Sequence, residues 1–200
     1  MNKGNLRTHF KAVLNRSDIT DALADTFIDQ GIARIQRSLR VPSMETQHTY
    51  TFTDLATKVT IPSDFLEAID VYYGNRALTR LPMRDIQEHL KGGETGSPYY
   101  FSREGSGFLL HPQPSSGSLV LNYYASFEEM TQDSHESILA STSPDLIIYA
   151  ALTYASDYYL DERSAVFDNK YMTFMSEIQE QANEQELTGS IQSIRPSYRL

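Results

Sequence analysis

The sequence predicts an α+β fold, in which an α-helical bundle is interrupted by an inserted small antiparallel β lobe. Apolar residues recur at helical spacing over the first 40 residues, alternate with polar residues from about 48 to 126, and then return to helical spacing. Two hundred residues with 40% hydrophobic content can bury one core with a satellite lobe, but not two large independent domains. One folded unit is therefore expected.

Two helices are predicted within residues 5–40. Ser17 or Thr20 is expected to cap the second helix, because a side-chain hydroxyl accepts a hydrogen bond from the free backbone N–H groups of a first turn. Pro42 is expected to end it, because the residue before a proline disfavours helical geometry. The apolar stripes of the two helices are Leu6, Phe10, Val13 and Leu14, and then Leu23, Phe27, Ile28, Ile32, Ile35 and Leu39.

Turn signals separate the alternating segments of the β lobe. Gly74-Asn75 stands between two apolar runs, and another glycine-rich turn spans 105–107. Residues Pro82 to Leu90 predict a short inserted helix with the proline at its first position.

The last third predicts two further helices and an extended arm. Ser143-Pro144-Asp145 is typical of a helix start, and the run "LIIYAALTYASDYYL" indicates a helix that is buried on most sides. A long amphipathic helix follows the turn at 161–163 and ends at Gly189. The predicted domains are therefore a bundle of 1–47 and 127–189, a β lobe of 48–126, and an arm of 190–200.

The charge of the chain is unevenly distributed. The formal net charge is −9, yet residues 1–126 are neutral, 127–187 carry −11, and 188–200 carry +2. A segment this acidic repels a phosphate backbone, so it excludes sequence-specific nucleic-acid binding at that segment. Repulsion is useful where nucleic acid must slide past without sticking.

No catalytic or cofactor signature stands out. The chain has no cysteine, which excludes disulfides and thiolate sites and fits a reducing compartment. The five histidines are too widely spaced for a local metal motif, and neither a phosphate-binding loop nor a G-x-S-x-G motif occurs. We expect no enzyme activity, no metal, no cofactor and no membrane anchor.

Thirteen tyrosines without a tryptophan are the main peculiarity of the composition. Adjacent tyrosine pairs can place one ring in the core and the other on the surface, or they can line protein interfaces, where tyrosine is favoured. The last helical hairpin also holds more large apolar surface than a two-helix seam requires. The residues predicted to contact a neighbouring subunit are Tyr158, Tyr159, Tyr171, Met172 and Met175.

Residues 190–200 have an unusual mixture of side chains. A disordered terminus needs no large apolar groups, whereas this segment combines them with two arginines and no acidic side chain. Such a composition predicts an arm that becomes ordered on a partner. Its proposed contact residues are Ile191, Ile194, Arg195, Pro196, Tyr198, Arg199 and Leu200.

The order of these elements resembles that of the head-to-tail adaptor (connector) proteins of tailed bacteriophages. The resemblance covers roughly residues 18–188. It is carried by the strings "FIDQGIARIQRSLRVPSME", "VTIPSDFLEAIDVYYGNRALTRL", "LLHPQPSSGSLVLNYYASF" and "SPDLIIYAALTYASDYYLDERSAVFDNKYMTFMSEIQEQA".

This resemblance implies a ring of adaptor subunits, a dodecamer matching the portal, at the head–tail interface of the virion. The ring would extend the DNA channel, let DNA pass without specific binding, and receive a downstream tail or nozzle protein. Assembly would take place in the host cytoplasm. The portal as receiver of the arm is an inference from the arm's own residues, because the family pattern stops near Gly189.

Two other classes of function stay open on the sequence alone. A β-lobe binding module for a glycan or receptor would use exposed tyrosines as its contact surface. An enzyme would need polar groups that converge only in the folded chain.

Overall fold

The computed structural model describes residues 1–187, with side chains to residue 184, and confirms an α+β fold. The chain divides into two compact units. The helical unit comprises Met1–Ser43 and the described residues from 127 onward, and the β unit comprises Met44–Ser126. The α-helices among the described residues are α1 (Lys3–Leu14), α2 (Asp21–Ser38), α3 (Met83–Leu90), α4 (Ile138–Thr142), α5 (Pro144–Tyr158) and α6 (Ser164–Leu187).

Local sequence explains where most helices begin. Thr20 caps α2, as predicted, by accepting a hydrogen bond from the Leu23 backbone N–H at 3.2 Å. Pro144 occupies the start of α5, also as predicted. The expected first position of Pro82 in α3 was wrong, because Pro82 is the cap and the helix begins at Met83. The short helix α4, capped by Ser137, was not predicted.

Helix α5 is the centre of the helical unit. It packs against α1, α2, α4 and α6, so nearly every side of it is covered. Its buried residues are Leu146, Ile147, Ile148, Ala150, Ala151, Leu152, Ala155 and Ser156. The predicted helix buried on most sides is thus confirmed.

Gly31 allows α2 to approach α5 closely. A Cβ atom at this position would lie 2.8 Å from the backbone nitrogen of Ala151 and 3.2 Å from the Cβ of Ala150. The small residues on α5 complete the contact from the other side. The two backbones therefore meet at a distance that a larger side chain on α2 would not permit.

Two arginines connect the helices at the edge of this core. Arg7 on α1 donates to both oxygens of Asp25 on α2 at 2.6 and 2.8 Å, and to Asp133 at 2.6 and 3.1 Å. These hydrogen bonds raise the pKa of Arg7 and lower that of Asp133. Arg34 on α2 donates to Thr153 on α5 at 2.9 Å and to Asp168 on α6 at 2.8 Å.

Two four-stranded sheets form the β unit. The strands are β1 (Glu45–Phe52), β2 (Lys58–Thr60), β3 (Phe65–Tyr73), β4 (Arg76–Ala77), β5 (Thr79–Arg80), β6 (Tyr100–Glu104), β7 (Gly107–His111) and β8 (Gly117–Ala125). Their orders are β1-β8-β3-β4 and β2-β7-β6-β5. The predicted antiparallel lobe needs one correction, because β5 and β6 pair in parallel. That pair follows from α3, which carries the chain back between the two strands.

The β unit has its own hydrophobic core. It includes Val71 and Leu121 from one sheet and Phe101, Phe108 and Leu110 from the other. The predicted turns are confirmed at Gly74 and Gly105, whose φ angles of 56° and 55° favour glycine. Within residues 1–187, no helix has the length and apolar character needed to cross a membrane.

Substitution Gly31→Ala should destabilise the helical unit. The new Cβ must displace the α5 backbone, and overpacking of this kind costs about 1–3 kcal/mol, more than the roughly 0.5–1 kcal/mol that alanine gains over glycine within a helix. Gly4→Ala in α1 is the control, since its nearest neighbour would be the Asp133 Cβ at 3.4 Å. Urea unfolding checks both variants. Equal stability of Gly31→Ala and the wild type would show that the seam is looser than the structure indicates.

Candidate assembly surfaces

Large apolar side chains are exposed where α5 turns into α6. Tyr158, Leu160 and Val166 are 63%, 89% and 53% exposed, and we call these three residues the hairpin tip. Single exposed apolar residues are common on protein surfaces, but several on one turn mark a candidate contact site. Leu160 and Val166 were not identified from the sequence, because a residue in a turn has no periodic signal and Val166 lies within the first turn of α6, where the period is only beginning.

Hydrogen bonds hold the hairpin tip in place. Asp161 accepts from the Arg163 side chain at 3.0 Å from Nε and 2.7 Å from Nη2, and from the Arg163 backbone N–H at 2.9 Å. Arg163 Nη2 also donates to the Leu14 carbonyl at the end of α1, at 2.9 Å. Leu160 adopts a left-handed φ of 53°, which is uncommon for a leucine. The conformation of this turn is therefore fixed by contacts within the subunit.

The same hydrogen bonds control the charge of Asp161. Side-chain and backbone donation from Arg163 lowers the pKa of Asp161 to about 2. The carboxylate is consequently ionised throughout the neutral range. Arg16 lies over the ring of the neighbouring Tyr159 at 4.1 Å from the guanidinium carbon to the ring centroid, which adds a cation–π contact at the same end of the unit.

The five residues predicted to contact a neighbour lie at different depths. Tyr158 and Met172 are well exposed, at 63% and 56%. Tyr159 and Met175 are half-buried. Tyr171 is only 3% exposed, and Arg34 stacks over its ring at 4.1 Å, so this ring is largely taken up by packing within the subunit. Helical periodicity correctly placed Tyr171 on the same face of α6 as the buried Phe167. It did not show that this face packs within the subunit and is not available to a neighbouring one.

The predicted portal-binding arm lies outside the described residues. This applies to all seven of its proposed contact residues, Ile191, Ile194, Arg195, Pro196, Tyr198, Arg199 and Leu200.

The acidic segment 127–187 is partly neutralised within the helical unit. Residues 1–43 carry a net charge of +3 and supply Arg7 and Arg34, which pair with Asp133 and Asp168. Glu177 and Glu180 remain exposed on α6. The net charge of the segment did not reveal these pairs, because their partners are more than 100 residues away in the chain.

A groove of about 390 Å³ opens in the helical unit. We call it the helical-unit groove. Leu39, Val41, Leu139, Ile178 and Ala182 contribute apolar side chains to its lining, Ser43, Thr142 and Ser143 contribute polar ones, and Gln181 stands at its rim. Four of the five apolar residues are buried, and Ile178 is half-buried. The sequence did not reveal the groove, because its walls come from the end of α2, from α4 and from α6.

The β unit places two histidines together without forming a metal site. His111 is buried and stacks on His89 with ring centroids 5.2 Å apart, and its Nε2 lies 3.6 Å from a Glu94 carboxylate oxygen. Burial, reinforced by His89, lowers the pKa of His111. In the part of the chain that the structure describes, no group of three histidine, aspartate or glutamate residues could hold a metal ion.

Most tyrosines of the β unit are buried or half-buried. Tyr123 is buried and donates to Asp64 at 3.0 Å, and its pKa is raised to about 12, mainly by burial. Tyr99 is 48% exposed and lies under Arg76 at 4.4 Å. It is the one strongly exposed tyrosine among residues 44–126, so these rings do not form a broad aromatic platform.

The model of the SU10 adaptor protein family matches residues 1–195. The chain belongs to this phage adaptor family, which confirms the resemblance drawn from the order of its elements. The expected end of the family pattern near Gly189 was wrong, because the match continues to residue 195. Membership indicates a structural component of a virion. No curated protein matches the sequence.

Substitution Asp161→Asn should loosen the hairpin tip in a pH-dependent way. The folded-state pKa of about 2 lies below the ordinary value of 3.8, so the carboxylate stabilises the fold above pH 4, and this contribution is lost as the pH falls toward 2. At neutral pH we expect a loss of about 0.5–1 kcal/mol, as for a well-formed surface ion pair.

Urea unfolding of the wild type and Asp161→Asn at pH 7, 5 and 3 measures this difference, which should shrink toward pH 3. Glu162→Gln is the control at the neighbouring exposed position and should change stability by less than about 0.5 kcal/mol. A stability difference that stays constant from pH 7 to pH 3 would contradict the assignment.

Proposed function

We propose that the protein is a non-enzymatic head-to-tail adaptor that forms a ring below the portal, extends the DNA channel and docks tail components. Family membership supports a phage adaptor in general. The observation that carries the finer proposal is the preformed hairpin tip together with Met172. Large apolar groups are exposed there on a turn that hydrogen bonds within the subunit hold in place.

A ring requires two different contact surfaces on each subunit. Subunits related by a rotation that closes meet head to tail, so one patch contacts a second, different patch on the neighbour. The hairpin tip and the Met172 region of α6 supply candidate patches on separate parts of the helical unit. A dodecamer would match the portal implied by the resemblance to the adaptor family.

The exposed charge agrees with a channel through which DNA passes. Glu177 and Glu180 on α6 remain exposed after the arginine pairs have formed. Carboxylates do not release counterions from DNA, so they give no affinity for the phosphate backbone. DNA would then move past such a surface without specific binding.

The arm is proposed to dock on the portal. Ile191, Ile194, Tyr198 and Leu200 would fill apolar pockets, and Pro196 would keep the segment extended. Arg195 and Arg199 would form bidentate contacts with portal carboxylates. Ordering each residue costs about 1–2 kcal/mol of backbone entropy, so the apolar anchors must be well buried.

The competing hypothesis of a glycan or receptor module has less support. It needs several exposed rings in the β unit, where Tyr99 is the strongly exposed one. If the β unit contacts the tail or nozzle protein, the exposed pair of Tyr99 and Arg76 is its candidate contact site, because an aromatic ring and a guanidinium are both favoured at protein interfaces.

Substitution Met172→Glu should prevent ring assembly without unfolding the subunit. Met172 is 56% exposed, so the folded subunit tolerates the charge, whereas a desolvated subunit contact does not. Sedimentation in the presence of the portal measures assembly, and circular dichroism measures folding. Thr173→Glu is the control at the next exposed position of α6. Intact rings of Met172→Glu would exclude this face as a subunit contact.

Deletion of residues 190–200 should weaken portal docking at least tenfold while leaving the subunit folded. The loss follows from removal of four apolar anchors and two arginines. Binding to immobilised portal measures the effect. The double substitution Ser193→Ala with Ser197→Ala is the matched control, because it keeps every proposed anchor. Equal docking by the truncated and full chains would contradict the role of the arm.

A further inference from the structure

We propose that the helical-unit groove holds the arm of the same chain while the subunit is free, and that portal docking withdraws the arm from it. The inference rests on the proposed function only in naming the portal as the competitor. The groove itself, its lining and its position next to the end of α6 belong to the described residues.

The groove has the size that an apolar side chain needs, and part of its mixed lining is aliphatic. Its volume of about 390 Å³ lies within the range of roughly 300–1,000 Å³ found for pockets that take a ligand. Leu39, Val41 and Leu139 line it with aliphatic groups, and Ile178 is half-buried at its wall. Burial of an arm isoleucine there would cover the exposed part of Ile178.

Helix α6 carries the chain past the groove just before the arm begins. Ala182 lines the groove, and Leu187 ends the described helix five residues later, about 7 Å further along the axis. Gly189 and Ser190 are suited to reverse the chain direction. Four extended residues span about 13 Å, so a chain that reverses at Ser190 can bring Ile194 back past the level of Ala182.

Charge complementarity favours the arm over an acidic segment. The arm contains Arg195 and Arg199 and no acidic side chain. Glu177 is exposed on α6 one turn before Gln181 at the groove rim, and Glu180 is exposed beside them. An arm that runs back along α6 would therefore place Arg195 near these carboxylates.

Covalent connection favours the arm of the same chain over that of a second copy. A short flexible linker raises the effective concentration of a tethered segment to the millimolar range, far above that of a free subunit in solution. Weak contacts are then sufficient to fill the groove. A portal that offers better-buried sites can still displace the arm, which keeps its apolar residues covered until docking.

The absence of cysteine from the chain makes a direct test possible. In the full-length protein, Gln181→Cys at the groove rim is combined with Ser193→Cys, which lies between the two arm isoleucines and preserves both. The matched control combines Asn183→Cys with Ser193→Cys. Asn183 is at almost the same height on α6 but about 200° around the helix from Gln181, so an unbound arm reaches both positions equally.

Mild oxidation of the free subunit, followed by mass spectrometry, should give an intramolecular disulfide at least tenfold faster for the Gln181 pair than for the Asn183 pair. Adding Ile178→Arg should reduce the faster rate to that of the control, with circular dichroism confirming the fold. Equal rates for the two pairs would overturn the proposal. A disulfide formed mainly between two chains would overturn it as well, because the groove would then hold the arm of a second copy.

Portal binding by the oxidised and reduced Gln181 pair separates this inference from the proposed function. Loss of docking on oxidation, with recovery on reduction, is the expected result. A rapid intramolecular disulfide that leaves docking intact would preserve the groove assignment and refute the portal role of the arm. The two claims therefore fail on different observations.

Discussion

The close packing of α5 against α2 is the constraint on which the helical unit depends. Gly31 brings the α2 backbone to a distance at which an added Cβ would lie 2.8 Å from the backbone of Ala151. Helix α5 can then be covered by α1, α2, α4 and α6 at once, which accounts for its almost uninterrupted run of apolar residues. Burial of apolar side chains between α5 and its neighbours contributes much of the stability of the helical unit. Most charged residues lie on the outer surface of the unit.

That arrangement determines which apolar groups remain available to other molecules. Phe167 and Tyr171 of α6 are buried within the subunit, whereas the hairpin tip and Met172 are exposed. Arg163 fixes the tip by joining Asp161 to the carbonyl of Leu14, and Arg34 joins α2 to α5 and α6. An assembly protein benefits from such rigidity, because surfaces that are already ordered lose less conformational entropy on binding.

The sequence predicted the features that arise from local physical chemistry. Helical and alternating periods gave the α+β class, and the Thr20 cap, the start of α5 at Pro144 and the turn at Gly74 followed from the preferences of single residues. The parallel pair of β5 and β6, the helix α4 and the pairing of Arg7 with Asp133 were missed. Each depends on residues that are distant in the chain or on a segment too short to show a period.

The candidate surfaces illustrate the same limit. Periodicity identified the apolar face of α6, but the burial of Tyr171 and the exposure of Leu160 depend on where neighbouring elements stop. The helical-unit groove combines residues from three separate helical regions, and no local pattern marks it. Family membership supplied the class of protein, which single residues could not have established.

Ordered assembly on a portal is the central claim, and native mass spectrometry of the full-length protein with and without its cognate portal tests it most directly. The account predicts one discrete complex in which adaptor and portal subunits are present in equal number. At saturating adaptor concentration this complex should be the dominant species. A protein that stays monomeric at saturating portal concentration, or that binds the portal without a fixed ratio, would contradict it.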